Sequence, residues 1–274
     1  MDKQVEISRL ELQSDRHKVF DLNIIDKIIR EFDSKLTVLD IGCSNGYRSY
    51  SRFAENSNIK HIIGIDIDKS AINVAQKNYS EIPKLRFEHL DFSKEDDIKF
   101  LKKEYPEGFD IVHASYAIHF IKDHQNTLRN MYSLLKKNGI LFIRDLDDSA
   151  KIFYPDPNQI CNYVINKTKT IPGQSDRESS RKLYHYAIQA GFKYPKMYYD
   201  IKDTINTTIQ ERKELFTENF SFRLNRISEL ISKGEEKYRD DYIILKSSIE
   251  KIEKLFHSED FYYMEVNFVF IAKK

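Results

Sequence analysis

Tryptophan is absent from this 274-residue chain, and cysteine occurs only twice, at Cys43 and Cys161. The missing tryptophan carries no functional reading. Two distant cysteines form neither a disulfide framework nor a metal-ligand spacing, so no metal is expected, and a reducing cytosol is the expected compartment. No apolar stretch approaches the length of a membrane span. The opening MDKQVEISRLELQSD is charged and lacks the apolar core of a signal peptide. No membrane partner is therefore expected, and the location reads as cytoplasmic. An excess of one charge is missing too. Its 44 basic and 43 acidic side chains leave +1, so no global basic field asks for a nucleic acid. Internal repeats and low-complexity linkers are also lacking. What remains is 41% apolar and 32% charged residues, the composition of a globular chain. The length fits one large domain or one domain with a sizeable insertion.

VFDLNIIDKIIREF places Leu22, Ile25, Ile28, Ile29 and Phe32 at helical spacing. LTVLDIG is a short apolar run ending in glycine, the pattern of a buried parallel strand. GYRSYSRFAEN then looks helical. HIIGIDID is a second strand, SAINVAQKNYS a second helix, LRFEHLDF a third strand and FDIVHASYAIHF a fourth. The helix HQNTLRNMYSLLKKNG is expected to stop at Gly139, before a fifth strand, ILFIRDLDD. Such alternation predicts βαβ units and a parallel sheet with helices on both faces. The second half differs. Ser175 and Glu178 read as a capping box for a helix ending at Gly191. KMYYDIKDT reads as a sixth strand. A helical stretch, Thr208 to Phe256, is interrupted at Gly234. Its last part repeats apolar residues at Tyr238, Tyr242, Leu245, Ile249, Ile252 and Phe256, either as a packing face on the same chain or as a dimer seam. FYYMEVNFVFIAKK alternates and closes as a final strand.

The segment DIGCSNGY admits two nucleotide-binding readings. A dinucleotide fingerprint needs small residues at the first, third and sixth positions of its glycine motif. Counted from Gly42, these are Gly42, Ser44 and Tyr47. Tyrosine at the last position defeats close packing over a pyrophosphate. The spacing Asp40-x-Gly42-x-x-x-Gly46 fits instead, with two glycines that let the backbone bend and approach a ligand. Asp66 closes the second strand, twenty positions after Gly46. A carboxylate there accepts hydrogen bonds from both hydroxyls of an unphosphorylated ribose.

VLDIGCSNG, GIDID, LDF, FDIVHASYAIHFI and LLKKNGILFIRD, in that order, resemble the motif series of class I S-adenosylmethionine-dependent methyltransferases, over Leu36 to Asp145. The chain departs from the commonest pattern at Ser44, where a middle glycine often sits. The resemblance implies an α/β fold, Rossmann-like and doubly wound, with a mostly parallel seven-stranded sheet, one antiparallel strand and a helical lid insertion. The whole chain is expected as one methyltransferase domain, with 1–35 as a lid segment and 207–257 as the insertion. It also implies residue roles. Gly42, Ser44 and Gly46 cradle the methionine part of the cofactor, and Asp40 orders their loop. Asp66 takes the ribose hydroxyls and Ile67 lines the adenine pocket. Asp91 accepts the adenine amino group, with Phe92 against the ring. Ala114 and Ser115 lie near the methionyl end.

Methyl transfer from a sulfonium needs an acceptor held in line with the methyl, and a base where the acceptor carries a proton. Candidates should follow the fourth and fifth strands. These are Tyr116 and His119, then Arg144, Asp145, Asp147 and Asp148. His119 is a base by its intrinsic range, or a packed histidine. The acids favour an amine, or form a solvated loop. Arg177 and Arg181, four apart, either hold a substrate carboxylate or phosphate or make surface salt bridges. HASY stands where amino-group methyltransferases of bases or glutamine carry an N/D-P-P-Y/F clamp. The expected acceptor is a small molecule, with nitrogen narrowly ahead of oxygen, on a monomer or homodimer. A protein or RNA methyltransferase and a non-catalytic cofactor-binding module are the alternatives.

Overall fold

The computed structural model describes residues 3–274, with side chains from Arg9 onward. The chain divides into two compact units. One comprises Ser14–Leu146, Glu178–Asp200 and Asn267–Lys274; the other takes the preceding residues, Asp147–Arg177 and Ile201–Val266.

The first unit is built on strands β1 (Leu36–Ile41), β2 (Ile59–Asp66), β3 (Leu85–His89), β4 (Phe109–Ser115) and β5 (Leu135–Leu146). The order is β3-β2-β1-β4-β5, all parallel. Successive side chains point to opposite faces of a strand. Leu39, Ile41, Ile63, Ile65, Val112 and Ala114 accordingly share one core. Val38, Ile62, Ile111 and Phe142 share the other. Both faces are covered, which is why these strands read as continuous apolar runs.

Helix α1 (Lys3–Ile29) contains the amphipathic helix expected at Val19–Phe32 but starts earlier and ends at Ile29. Its Ile24, Ile25, Ile28 and Ile29 are buried in the second core, each contributing about 1.5–3 kcal/mol. After β1 come α2 (Tyr47–Ser49) and a π-helical turn, Tyr50–Ala54. Helix α3 (Lys69–Asn78) is capped by Asp68, whose carboxylate accepts from the Ser70 and Ala71 amides. Then follow α4 (Glu95–Glu104) and α5 (His124–Leu134). Gly139 does not end α5. The helix stops at Leu134 because Leu135 already pairs with Phe109, across a register shift. The expected fourth strand is also shorter, ending at Ser115.

Strand β6 (Ile152–Tyr154) and helix α6 (Ile160–Lys169) begin the second unit and were not expected. Helix α7 (Ser180–Ala190) returns to the first and ends at Gly191, with φ 100°, as expected. The Ser175–Glu178 capping box is not formed. The box lies instead at Thr208 and Glu211, at the start of α8 (Ile209–Asn219). Strand β7 (Lys193–Asp203) pairs with β8 (Tyr262–Lys273). The later part of β8 runs antiparallel to β5, and its first residues pair antiparallel with β6. The sheet therefore counts eight strands, one more than expected, because Ile152–Tyr154 joins it.

Helices α9 (Asn225–Ser232) and α10 (Arg239–Phe256) complete the second unit. Leu245, Ile249, Ile252 and Phe256 are buried in this unit's own core with Cys161, Val164, Leu215 and Phe220. The apolar repeat on α10 is thus a packing face within the chain. No helix among the described residues is long and apolar enough to cross a membrane.

Candidate active site

The strand order reverses beside β1, with β2 on one flank and β4 on the other. In doubly wound sheets the crevice beyond the carboxyl ends at such a point receives ligands. The loop leaving β1 closes that crevice. The amides of Gly42 and Cys43 both donate to Ile65 O, at 2.8 and 3.1 Å. Gly42 and Gly46 hold φ values of +74° and +80°. A Cβ on Gly42 would meet Ala117 Cβ at 2.5 Å, and one on Gly46 the Phe87 ring at 2.6 Å. Ser44, at the position of the missing glycine, also takes a positive φ of 50°. Gly46→Ala is expected to destabilise the protein by about 1–3 kcal/mol through backbone strain alone. Thermal unfolding of the variant reads this, and an unchanged melting temperature would contradict it.

Two carboxylates brace the loop. Asp66 Oδ2 accepts from the Ser44 amide at 2.8 Å and Oδ1 from the Asp68 amide at 2.9 Å. Asp40 is buried and accepts from Ser49 Oγ and from His113 Nδ1, the latter at 2.6 Å. It ties β1 to α2 and β4 rather than bonding the loop directly. Further along the sheet, Asp91 Oδ1 accepts from the Ser93 amide and hydroxyl at 2.9 and 2.6 Å, as a turn acid. Ile67 stands 65% exposed beside Asp66, whereas Phe92 is packed in the first core.

At the end of β4, Ala114 and Ser115 are buried. Tyr116 follows with φ 54°. Its amide donates to Arg144 O at 2.8 Å, and its hydroxyl to Asn267 Oδ1 at 2.6 Å. One turn on, His119 meets Asp145. Its Nδ1–H donates to Asp145 Oδ1 at 2.6 Å and its amide to Oδ2 at 3.0 Å. Asp145 Oδ1 also accepts from the Leu146 amide at 2.9 Å. Both side chains are buried, and His119 Nε2 has no partner among the described residues. A carboxylate on Nδ1–H fixes the tautomer and leaves the Nε2 lone pair outward, the arrangement of an oriented base.

The other members of RDLDD do different work. Arg144 is fully buried and ion-paired to Asp21 at 2.6 Å and Asp200 at 3.1 Å, so it is structural. Asp147 caps the Ser149 amide at 3.0 Å. Asp148, in the second unit, is fully spent. Arg177 grips it through Nε at 2.6 Å and Nη2 at 3.2 Å, and Arg223 adds a contact at 2.8 Å. Burial alone would push its carboxyl up, but Arg177, Arg223 and Lys151 hold it well below the usual carboxylate range. Arg177 therefore has a carboxylate within the chain, and it precedes α7 rather than sharing a helical face with Arg181. The acid cluster does not converge on one acceptor.

Residues not singled out from sequence also matter. Asp21 on α1 bridges Arg52 at 2.9 Å and Arg144 at 2.6 Å. Arg144 and Arg52 hold its carboxyl low against the upward push of burial. His17 Nδ1 donates to Asp200 at 2.6 Å. Arg48 reaches Ser115 from α2. The one local signal for this network was charge on helices otherwise expected to face the core.

Residues 32–191, more than half of the chain, match the methyltransferase domain family. The chain is 31% identical over 125 residues to the U6 snRNA methylphosphate capping enzyme of Drosophila melanogaster, across 39% of this chain and 40% of that protein. It is 25% identical over 187 residues to juvenile hormone acid O-methyltransferase of the same fly, across 67% and 59%. It spans about half the length of the curated relatives it matches. The solved structure of a putative methyltransferase from Bacillus halodurans superposes with a TM-score of 0.52 at 18% identity, over 91% of this chain and 97% of that one, and so has the same fold. A glycine-bent loop and a strand-end carboxylate at the reversal of such a sheet are what the family match accounts for: the chain belongs to the methyltransferase domain family.

Proposed function

We propose that this enzyme methylates a hydroxyl oxygen of a small molecule, with His119 as general base and Asp145 as the residue that orients it. The observation that carries this reading is the 2.6 Å bond between His119 Nδ1 and Asp145, with Nε2 unpartnered among the described residues. A hydroxyl acceptor must lose a proton as it attacks, and a base of this kind serves that need. The amine reading leaned on free carboxylates. Asp145 and Asp148 are engaged within the chain, so that support falls away.

The residues fit the cofactor. Gly42 and Gly46 form a cradle that a Cβ would fill, and the half-exposed Asp66 keeps lone pairs beyond its two amide bonds. In this reading Gly42, Ser44 and Gly46 face the methionine part, with Ala114 and Ser115 opposite, and Asp40 holds the loop's far end in place. Asp66 binds the ribose hydroxyls. Ile67 and Asp91 face the adenine, while Phe92 supports that wall from within the core. S-adenosylmethionine, when bound, supplies an electrophilic methyl on a sulfonium. His119 Nε2 would take the hydroxyl proton while the methyl carbon exchanges its bond to the sulfonium sulfur for one to the acceptor oxygen, leaving S-adenosylhomocysteine as the neutral thioether. Tyr116 shapes the floor through its ring, since its hydroxyl proton is given to Asn267.

Asp66→Ala should weaken cofactor binding by about 1–3 kcal/mol, because the ribose hydroxyls lose a charged acceptor. Calorimetry with S-adenosylhomocysteine measures this, and unchanged affinity would remove Asp66 from the site. The acceptor class is tested by incubating the enzyme with tritiated-methyl cofactor and a cell extract. Label is expected in small organic molecules. Label confined to RNA or protein would replace this reading with one nearer the capping relative.

A further inference from the structure

Three arginines and two aspartates meet around the base of the glycine-loop helix. Arg52 and Arg144 share Asp21, and Arg144 also reaches Asp200. Arg48 is left over. Among the described residues no carboxylate lies within ion-pair distance of it. Its Nη1 donates to Ser115 Oγ at 2.9 Å and Ser115 O at 3.2 Å, and its guanidinium lies 5.1 Å from the centre of the Tyr116 ring. Its Nε is buried and makes no hydrogen bond.

Arg48 is half-buried, with its Nε fully enclosed, and a guanidinium partly withdrawn from water without a counter-charge is costly, so such groups are kept where a counter-charge arrives. Desolvation pushes the Arg48 pKa down to about 10, with Arg52 and Arg144 repelling it further while Tyr116 and Asp21 pull the other way. The location is specific. Arg48 lies two residues past Gly46, and Ser115 directly follows Ala114, which pairs with Ile41 at the end of β1. The fork therefore sits over the carboxyl ends of β1 and β4. A planar guanidinium matches a carboxylate with two parallel bonds.

We propose that Arg48 is the receptor for a ligand carboxylate at the ends of β1 and β4. It rests on the placement of the cofactor against the Gly42–Gly46 loop. Two sources share that chemistry: the methionyl carboxylate of the cofactor, and a carboxylate carried by the acceptor.

The test is calorimetry on wild type, Arg48→Gln and Arg48→Lys, with S-adenosylhomocysteine and its decarboxylated analogue, then with benzoate added to the S-adenosylhomocysteine complex. If the cofactor is the source, Arg48→Gln weakens S-adenosylhomocysteine by about 10–100-fold and leaves the decarboxylated analogue unchanged. Lysine, which keeps the charge without the fork, falls between. If the acceptor is the source, S-adenosylhomocysteine binds all three proteins alike, and Arg48→Gln abolishes benzoate binding seen with wild type. Arg48→Gln should also raise the melting temperature of the ligand-free protein by about 2 °C, since it deletes an uncompensated charge. Unchanged binding of all three ligands, or an equal loss for both cofactor analogues, overturns the proposal. Failure of wild type to bind S-adenosylhomocysteine would instead overturn the cofactor placement, and benzoate titrated into the ligand-free wild type and Arg48→Gln then reports on Arg48 alone.

Discussion

His119→Ala lowers methyl-transfer turnover by about 10²–10⁴-fold, the usual contribution of a positioned general base. Cofactor affinity should stay near wild type, because among the described residues the His119 side chain bonds to Asp145 and packs at a tilt against the Phe120 ring. Asp145→Asn is expected to lower turnover as well. From sequence, Asp145 reads as an attractor for a cationic acceptor, and its loss would raise the Michaelis constant. In the structure its oxygens accept from His119 Nδ1–H, the His119 amide and the Leu146 amide. An asparagine that turns its amide nitrogen toward Nδ1 selects the other tautomer, and the lone pair leaves Nε2. Steady-state kinetics on both variants separates the cases. A purely Michaelis-constant effect in Asp145→Asn would return that residue to acceptor binding.

Asp148→Ala should destabilise the second unit by about 3–5 kcal/mol, the cost of stranding buried charge when one partner of an ion pair is removed. Arg223 and Asp148 are both fully or nearly fully buried, and Arg177 is little more exposed. The variant leaves two guanidinium groups without their shared carboxylate. The folded carboxyl lies well below its ordinary range, so the unfolded chain binds the proton more readily. The pair's contribution is therefore complete above the unfolded carboxylate range, about pH 4, and drains away as pH falls below it. Urea unfolding at neutral pH measures the loss. Repeating it in acid should show the wild-type advantage over Asp148→Ala shrinking. A gap below 1 kcal/mol at neutral pH would show that the cluster is dispensable.

The core sheet was legible because parallel strands covered on both faces carry unbroken apolar runs, as in LTVLDI and FDIVHAS. The glycine loop was legible because Gly42 and Gly46 occupy conformations that other residues rarely adopt. Short or shifted elements were not. Ile152–Tyr154 is only three residues long. Helix α6 left its signal in Cys161, Val164, Ile165 and Thr168, a buried face at helical spacing, but its polar surroundings masked it. The end of α5 was decided by pairing of Leu135 with Phe109, a tertiary contact.

The same limit applies to the site. His119 and Asp145 stood out separately, yet their bond depends on the β4–β5 register, which sets Ser115 beside Arg144. Asp21 and Arg144 are 123 positions apart, and no local pattern announces their pairing. Arg48 looked like an ordinary helix residue until the structure showed its neighbours Arg52 and Arg144 paired with carboxylates and Arg48, among the described residues, without one.

Acceptor-atom selectivity tests the central claim most directly. A library of small hydroxyl compounds, each paired with the analogue carrying an amine in its place, is incubated with wild-type enzyme and tritiated-methyl cofactor, and products are resolved by chromatography. Label is expected on oxygen, on the hydroxyl member of the pairs that react, and it should disappear with His119→Ala. Label on nitrogen in the amine members, at rates unaffected by His119→Ala, would contradict the account.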